Sequence, residues 1–183
     1  MNKIKYLNDL KNLLIENGEK EKDIQAAIKY AENFINLNLP VIFDKYHFAA
    51  LVGMENVELA NIMVHLEEKY YRKAEIEKKN GGMREILIPA MKLRIVQRWI
   101  LKNILYNIRV SDYAMGFRKK YSIATNAKIH TGKKCVVNMD LKDFFPSITQ
   151  KQVFQIFYYY GYTIDVSYLL SRLCTHEGRV PQG

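Results

Sequence analysis

Cysteine is scarce in this sequence: Cys135 and Cys174 are the only two among 183 residues. They lie far apart and form no CxxC pair, which excludes a cysteine zinc site and a disulfide framework and fits a reduced, cytoplasmic protein. Long apolar runs are missing as well. No stretch approaches the ~20 residues of a membrane-spanning helix. The opening "MNKIKYLNDLKNLLIENGEK" breaks its apolar positions with charges, unlike a secretory signal. There is no internal repeat, low-complexity tract or evident interdomain linker. Acidic residues are the minority, 19 against 28 Lys and Arg, for a net charge of +9. That imbalance favours a polyanionic partner, with nucleic acid ahead of an anionic membrane surface.

What is present suffices for a packed core. Hydrophobic residues make up 49% and aromatics 12% of the chain, so disorder by composition is excluded. Residues 3–16 carry Ile4, Leu7, Leu10 and Leu14 at helical spacing, with Gly18 as a stop. Residues 20–37 repeat the pattern with Ile24, Ile28, Ala31 and Ile35. After Pro40, Asp44 and Asn56 are expected to cap helices over "KYHFAALVG" and "VELANIMVHLEEK". The first 70 residues therefore predict a helical lead-in.

The pattern then changes. Around "KNGG", apolar and charged residues alternate, and Asn80-Gly81-Gly82 supplies hairpin-turn chemistry. Two antiparallel strands are predicted over 71–78 and 83–88, closed by Pro89. A helix over 91–108 presents Leu93, Val96, Ile100, Ile104 and Ile108 on one face, with Arg94, Arg98, Lys102 and Arg109 clustered beside it. Residues 111–134 read as loop and short helix, basic and aromatic in "MGFRKKYSI". Residues 135–141 predict a short buried strand. Thr149 and Gln152 form a capping box ahead of a helix that stops at Gly161, and a last helix covers 165–174.

Chemistry concentrates in "VVNMDLKDFFPSI", residues 136–148. Alternation along the strand puts Asp140 at its carboxyl end on the side of Asn138, with Asp143 pointing elsewhere. A carboxylate buried there needs a partner, a hydrogen bond or a cation. Mg²⁺ suits the position, because it takes few protein carboxylates and shares its other sites with phosphate and water. Two such ions about 3.5–4 Å apart can hold the attacking and leaving oxygens of a phosphoryl transfer. Most Asp pairs at strand ends, however, cap or make turns.

"NMDLKDFFPSI" resembles motif A of reverse transcriptases. "GGMREILIP" resembles that family's fingers hairpin, "LRIVQRWILKNIL" the following helix, "MGFRKKYSIATNAKIH" the next segment and "GRVPQG" the start of motif B. All stand in the family's order over roughly residues 70–183. "NAKIH", Asn126 to His130, fits the NAxxH pattern of retron-type bacterial enzymes. The resemblance implies an α+β chain: fingers and partial palm of a right-hand polymerase behind a helical lead-in, divided 1–70, 71–134 and 135–183. It implies RNA-directed DNA polymerisation, a nucleotidyl transfer in which Asp140, with the Leu141 carbonyl, binds catalytic Mg²⁺.

Carried over residue by residue, Phe145 takes the steric-gate position against a ribose 2′-hydroxyl. Arg84 reaches the incoming triphosphate, with Lys78 or Lys79 beside it, since the arginine fork grips phosphate oxygens in pairs. Gln182 lies against the nucleotide, and Gly183 allows close backbone approach. Arg94, Arg98 and Lys102 track template phosphates, while Asn126 and His130 meet RNA or place their own segment. The implied partners are template and primer RNA, the RNA–DNA hybrid, dNTPs and, for a retron, a structured noncoding RNA; no membrane is implied. Antiphage defence is the implied setting of the parent protein.

Plainer alternatives stand beside each residue: a core ring for Phe145, a solvated hairpin tip for the lysines, a solvated helix face for the α-helical basic stripe. Tyr158, Tyr159 and Tyr160 either stack on bases or pack. The sequence contains no YxDD motif, so the 183 residues are expected to be a piece of a longer enzyme, inactive alone. The competing readings are a non-catalytic RNA-binding module and a group II intron-like or other defence-associated reverse transcriptase. A nucleotide cyclase is a weaker third, opposed by the hairpin and by "PQG".

Overall fold

The computed structural model describes residues 3–77 and 81–182. The lead-in forms α1 (Lys3–Glu16), α2 (Glu21–Asn36), α3 (Lys45–Val52), α4 (Asn56–Val64) and the single turn α5 (Leu66–Lys69). Asp44 caps α3 as expected, its carboxylate accepting the His47 N–H at 2.7 Å. The α4 cap differs from expectation. Glu55, not Asn56, occupies it, and the Glu55 N–H donates to the Glu58 carboxylate at 3.4 Å. Reciprocal pairing with the third helical residue outweighs the better intrinsic capping of Asn.

Strands β1 (Tyr71–Glu77) and β2 (Met83–Pro89) pair antiparallel from Tyr71↔Pro89 to Glu77↔Met83. The expected hairpin is therefore present, although its Lys78, Lys79 and Asn80 lie outside the described residues. Helix α6 (Met91–Asn103) follows and ends earlier than periodicity predicts, giving way to a 3₁₀ turn at Leu105–Asn107. Two side-chain amides compete with the helix backbone there: Asn103 donates to the Trp99 carbonyl at 2.9 Å and Asn107 to the Asn103 carbonyl at 2.8 Å. The remaining helices are α7 (Ile123–Lys128), α8 (Phe144–Ser147), α9 (Gln150–Tyr159) and α10 (Ile164–Leu173). The Thr149–Gln152 box caps α9, and Gly161, at φ +99°, ends it. No helix among the described residues is long and apolar enough to cross a membrane.

One core joins the two ends of the chain. Phe34 and Ile35 of α2, Phe48 of α3 and Ile62 of α4 pack with Leu93, Val96 and Ile100 of α6 and with Leu170 and Leu173 of α10. Tyr162 fixes this arrangement. Its buried ring lies 4.4 Å from that of Phe34, and its hydroxyl donates to the Pro40 carbonyl at 3.0 Å. The lead-in thus supplies the surface on which α6, α9 and α10 are seated.

The predicted buried strand over 135–141 does not form. These residues have no regular structure and are exposed, Val137 at 74% and Met139 at 91%. A strand exists only where neighbours take up its N–H and C=O groups. Among the described residues β1 and β2 pair with each other, and no third strand offers an edge. From residue 109 to 144 nothing is buried. The accessible surface, 13500 Å², exceeds the roughly 9,200 Å² of a compact monomer of this mass.

Candidate nucleotide and nucleic-acid site

An extended arm, residues 178–182, joins two of the segments singled out from sequence. At one end the Gln150 N–H donates to the Gly178 carbonyl at 2.8 Å and the Val180 N–H to the Ile148 carbonyl at 2.9 Å. Arg179 adds a bond from its guanidinium to the Pro146 carbonyl at 2.8 Å. At the other end the Leu87 N–H of β2 donates to the Gln182 carbonyl at 2.9 Å. The arm therefore ties the end of the 136–148 stretch to the outer edge of the hairpin. Gln182 is half-buried at this junction, and Gly183 lies outside the described residues.

On the hairpin, Arg84 stands opposite Ile76, exposed and without an ion pair among the described residues. Lys73 and Glu85 pair at 3.1 Å nearby, so an anion meeting this edge finds Arg84 uncompensated. Lys78, the other predicted phosphate contact on the hairpin, is outside the described residues.

Phe145 is half-buried, its ring edge-to-face with Phe144 at 5.4 Å and Phe117 at 5.9 Å. Phe117 holds a left-handed φ of +59°. The aromatic contact brings the 115–122 segment against α8. Phe117 was not among the residues singled out, although its place in a basic-aromatic run was a usable signal. Arg118 braces that loop by donating to the carbonyls of Ser111 at 3.0 Å and Ala114 at 3.2 Å, with its guanidinium 4.4 Å over the Tyr121 ring. Lys119 lies 4.1 Å over Tyr106.

Asp140 is exposed within the unpaired 135–141 segment, and the Leu141 side chain is 68% exposed. The expected burial of this carboxylate is thus not found. Asp143 takes φ +52° ahead of α8, and its carbonyl accepts the Ser147 N–H at 2.9 Å. No group of three or more His, Cys, Asp or Glu among the described residues is placed to hold a metal ion. The Asp140 carboxylate and Leu141 carbonyl are hard oxygen donors, which fits Mg²⁺ in kind. They do not by themselves close a coordination shell.

Arg94, Arg98 and Lys102 recur every fourth residue on α6, on the side away from Leu93, Val96 and Ile100. Arg98 and Lys102 are exposed, and Arg94 is half-buried with a long contact of 3.5 Å to the Met91 sulfur. Asn126 is exposed on α7, lining a shallow concavity of about 290 Å³ with Phe117 and Tyr121. Exposed His130 follows α7. A larger groove of about 720 Å³ lies between α3, α4 and α10, lined by Tyr46, Val57, Met63 and Tyr168, and holds none of the candidate residues.

The profile of the family described as reverse transcriptase (RNA-dependent DNA polymerase) matches residues 76–183. The chain is 36% identical over 150 residues to the retron Ec86 reverse transcriptase of Escherichia coli, covering 81% of this chain and 47% of that protein. It is 33% identical over 165 residues to the retron Mx65 reverse transcriptase of Myxococcus xanthus, covering 88% of this chain and 39% of the relative. With the retron Mx162 reverse transcriptase of Myxococcus xanthus it shares 40% over 110 residues, 60% of this chain and 23% of the other. The chain thus spans less than half the length of each of these three relatives.

Proposed function

Because this chain belongs to the reverse transcriptase family, we propose that its hairpin, α6 and the 178–182 arm form the nucleotide- and template-binding side of an RNA-directed DNA polymerase. In this reading residues 71–134 are fingers and 135–183 part of the palm, behind the lead-in of residues 1–70. The observation that carries the proposal is the arm itself: three hydrogen-bonded segments, each resembling a polymerase motif, meet at Gln182, Leu87 and Ile148. Arg84 grips the incoming triphosphate in a bidentate manner. The Phe145 ring, held from behind by Phe117, excludes a ribose 2′-hydroxyl. Gln182 lies against the nucleotide, and the α6 stripe tracks template phosphates without reading sequence. Mg²⁺, when bound at Asp140 and the Leu141 carbonyl, supplies charge neutralisation for the phosphate oxygens.

Similarity to retron reverse transcriptases supports a retron-type polymerase; the proposal extends to copying of a structured noncoding RNA, with Asn126 and His130 facing that RNA, in a cytoplasmic antiphage role. With Asp140 the single carboxylate assigned to the metal, the 183 residues alone are expected to bind nucleic acid without extending a primer. The test is RNA-templated primer extension by the protein expressed from its complete gene. Asp140→Asn should abolish incorporation while RNA retention stays intact. Undiminished extension by that variant would remove Asp140 from the chemistry. The second reading, a non-catalytic RNA-binding module, draws on the exposed basic-aromatic segment around Arg118 and Lys119. It predicts RNA retention and no extension even by the unaltered complete protein.

A further inference from the structure

The arm begins at a tight turn whose backbone is unfavourable for its own sequence. His176 and Arg179 exchange both backbone hydrogen bonds, at 2.8 and 3.0 Å, around the two-residue loop Glu177-Gly178. Both loop residues have positive φ, +48° for Glu177 and +73° for Gly178. A hairpin loop of this kind asks for Asn, Asp or Gly at its first position. Glutamate has no such tolerance for the left-handed region, so something outside the loop must hold it.

Glu67 of α5 is placed to do so. Its carboxylate accepts the Glu177 N–H at 3.4 Å. The same group forms a two-pronged pair with the Arg172 guanidinium, one prong at 2.6 Å and the other between Nη1 and Oε1. Arg172 stands in the last turn of α10, and its side chain is only 17% exposed. Pairing with Arg172 holds the Glu67 carboxyl down at about 2, well below the usual range, so the acceptor stays ionised at any working pH. On the other side of the turn the Tyr71 ring meets His176 edge-on at 4.8 Å. Tyr71 is itself fixed by Gln97, which donates to its hydroxyl at 2.8 Å and to the Leu173 carbonyl at 2.9 Å.

We infer that Glu67, in the helical lead-in, is a positioning residue: by holding the Glu177 amide through its fork with Arg172, it sets the turn and hence the register of the arm that carries Gln182. Register matters because side chains alternate along an extended segment, and a slip of one residue would turn Gln182 to the opposite face. This rests on the reading of Gln182 as a nucleotide contact for its functional meaning, but not for its test.

Amide hydrogen exchange on the chain measures the arm directly. Glu67→Ala is expected to speed exchange at the Gln150, Val180 and Leu87 N–H groups by about tenfold or more, the loss of a charge-assisted bond. Amides of the α6 and α10 cores should stay unchanged. Adding Glu177→Gly, which accepts positive φ freely, should restore most of the arm's protection. A purely structural role predicts a uniform rise across α6, α10 and the arm, with no recovery from the glycine, and that result overturns the inference. So does an unchanged arm. If Glu67→Ala leaves Arg172 too poorly paired to fold, Glu67→Gln, with and without Glu177→Gly, gives the same comparison under the same criteria. Undiminished nucleotide binding with the exchange pattern as expected would overturn the Gln182 assignment alone.

Discussion

Replacing Arg94, Arg98 and Lys102 together by Gln tests the template-facing role of α6. Four residues of helix rise about 6 Å, so the stripe covers about 12 Å from first to last. That length spans roughly three to four nucleotides at 3.4 Å per residue of one strand, enough for three phosphate contacts. Each neutralised phosphate contributes about 0.7 to 0.9 to the slope of log K against log salt, according to whether the RNA is single- or double-stranded. The triple variant should therefore flatten the slope by about 2 to 2.7. Gln keeps helix propensity near that of Arg and Lys, and the buried α6 face consists of Leu93, Val96 and Ile100, so the melting temperature should hardly move. Fluorescence anisotropy of a labelled RNA across a KCl series reads the slope. An unchanged slope in a variant of unchanged stability would refute the assignment of α6 to the phosphate backbone.

Other expectations are as specific. Tyr162→Phe removes the donor to the Pro40 carbonyl and should cost about 1 kcal/mol, a fall of about 2–4 °C in Tm; Phe34→Ala, at the same contact, should cost about 3–5 kcal/mol in denaturant titration. His47 is pushed below its usual pKa, first by burial and against the pull of Asp44, while its Nδ1 accepts the Phe43 N–H at 3.3 Å. The unfolded chain then takes up the proton first, so His47's contribution is present above pH ~6.5 and lost as pH falls below it; unfolding curves at pH 7 and 5 should differ less for His47→Gln than for the unaltered protein. Phe145→Val should narrow the preference for dNTPs over rNTPs by about tenfold or more, measured as a ratio of kcat/KM in the complete protein.

What could be read from sequence was local. Helical spacing located α1, α2 and α10, the Thr149–Gln152 box fixed the start of α9, and Gly81-Gly82 marked the hairpin. Motif resemblance found the hairpin and the arm but not the bonds that join them. The miss at residues 135–141 has a physical reason: β-branched, apolar composition states a preference for a strand, while forming one needs an edge to pair with. The α6 boundary moved because Asn103 and Asn107 cap from within. Glu67 was invisible because its partner Arg172 is 105 residues away. The one usable sign was Gly178, a turn residue lying at the start of the arm.

A nucleotide that meets both Arg84 of β2 and Gln182 of the arm is tested most directly with a photoreactive dNTP analogue. After irradiation with Mg²⁺ present and proteolysis, the label should fall in peptides holding residues 83–89 and 178–182, and Arg84→Ala should remove most of it. Labelling concentrated instead at Tyr46 or Tyr168, in the groove between α3, α4 and α10, would contradict it.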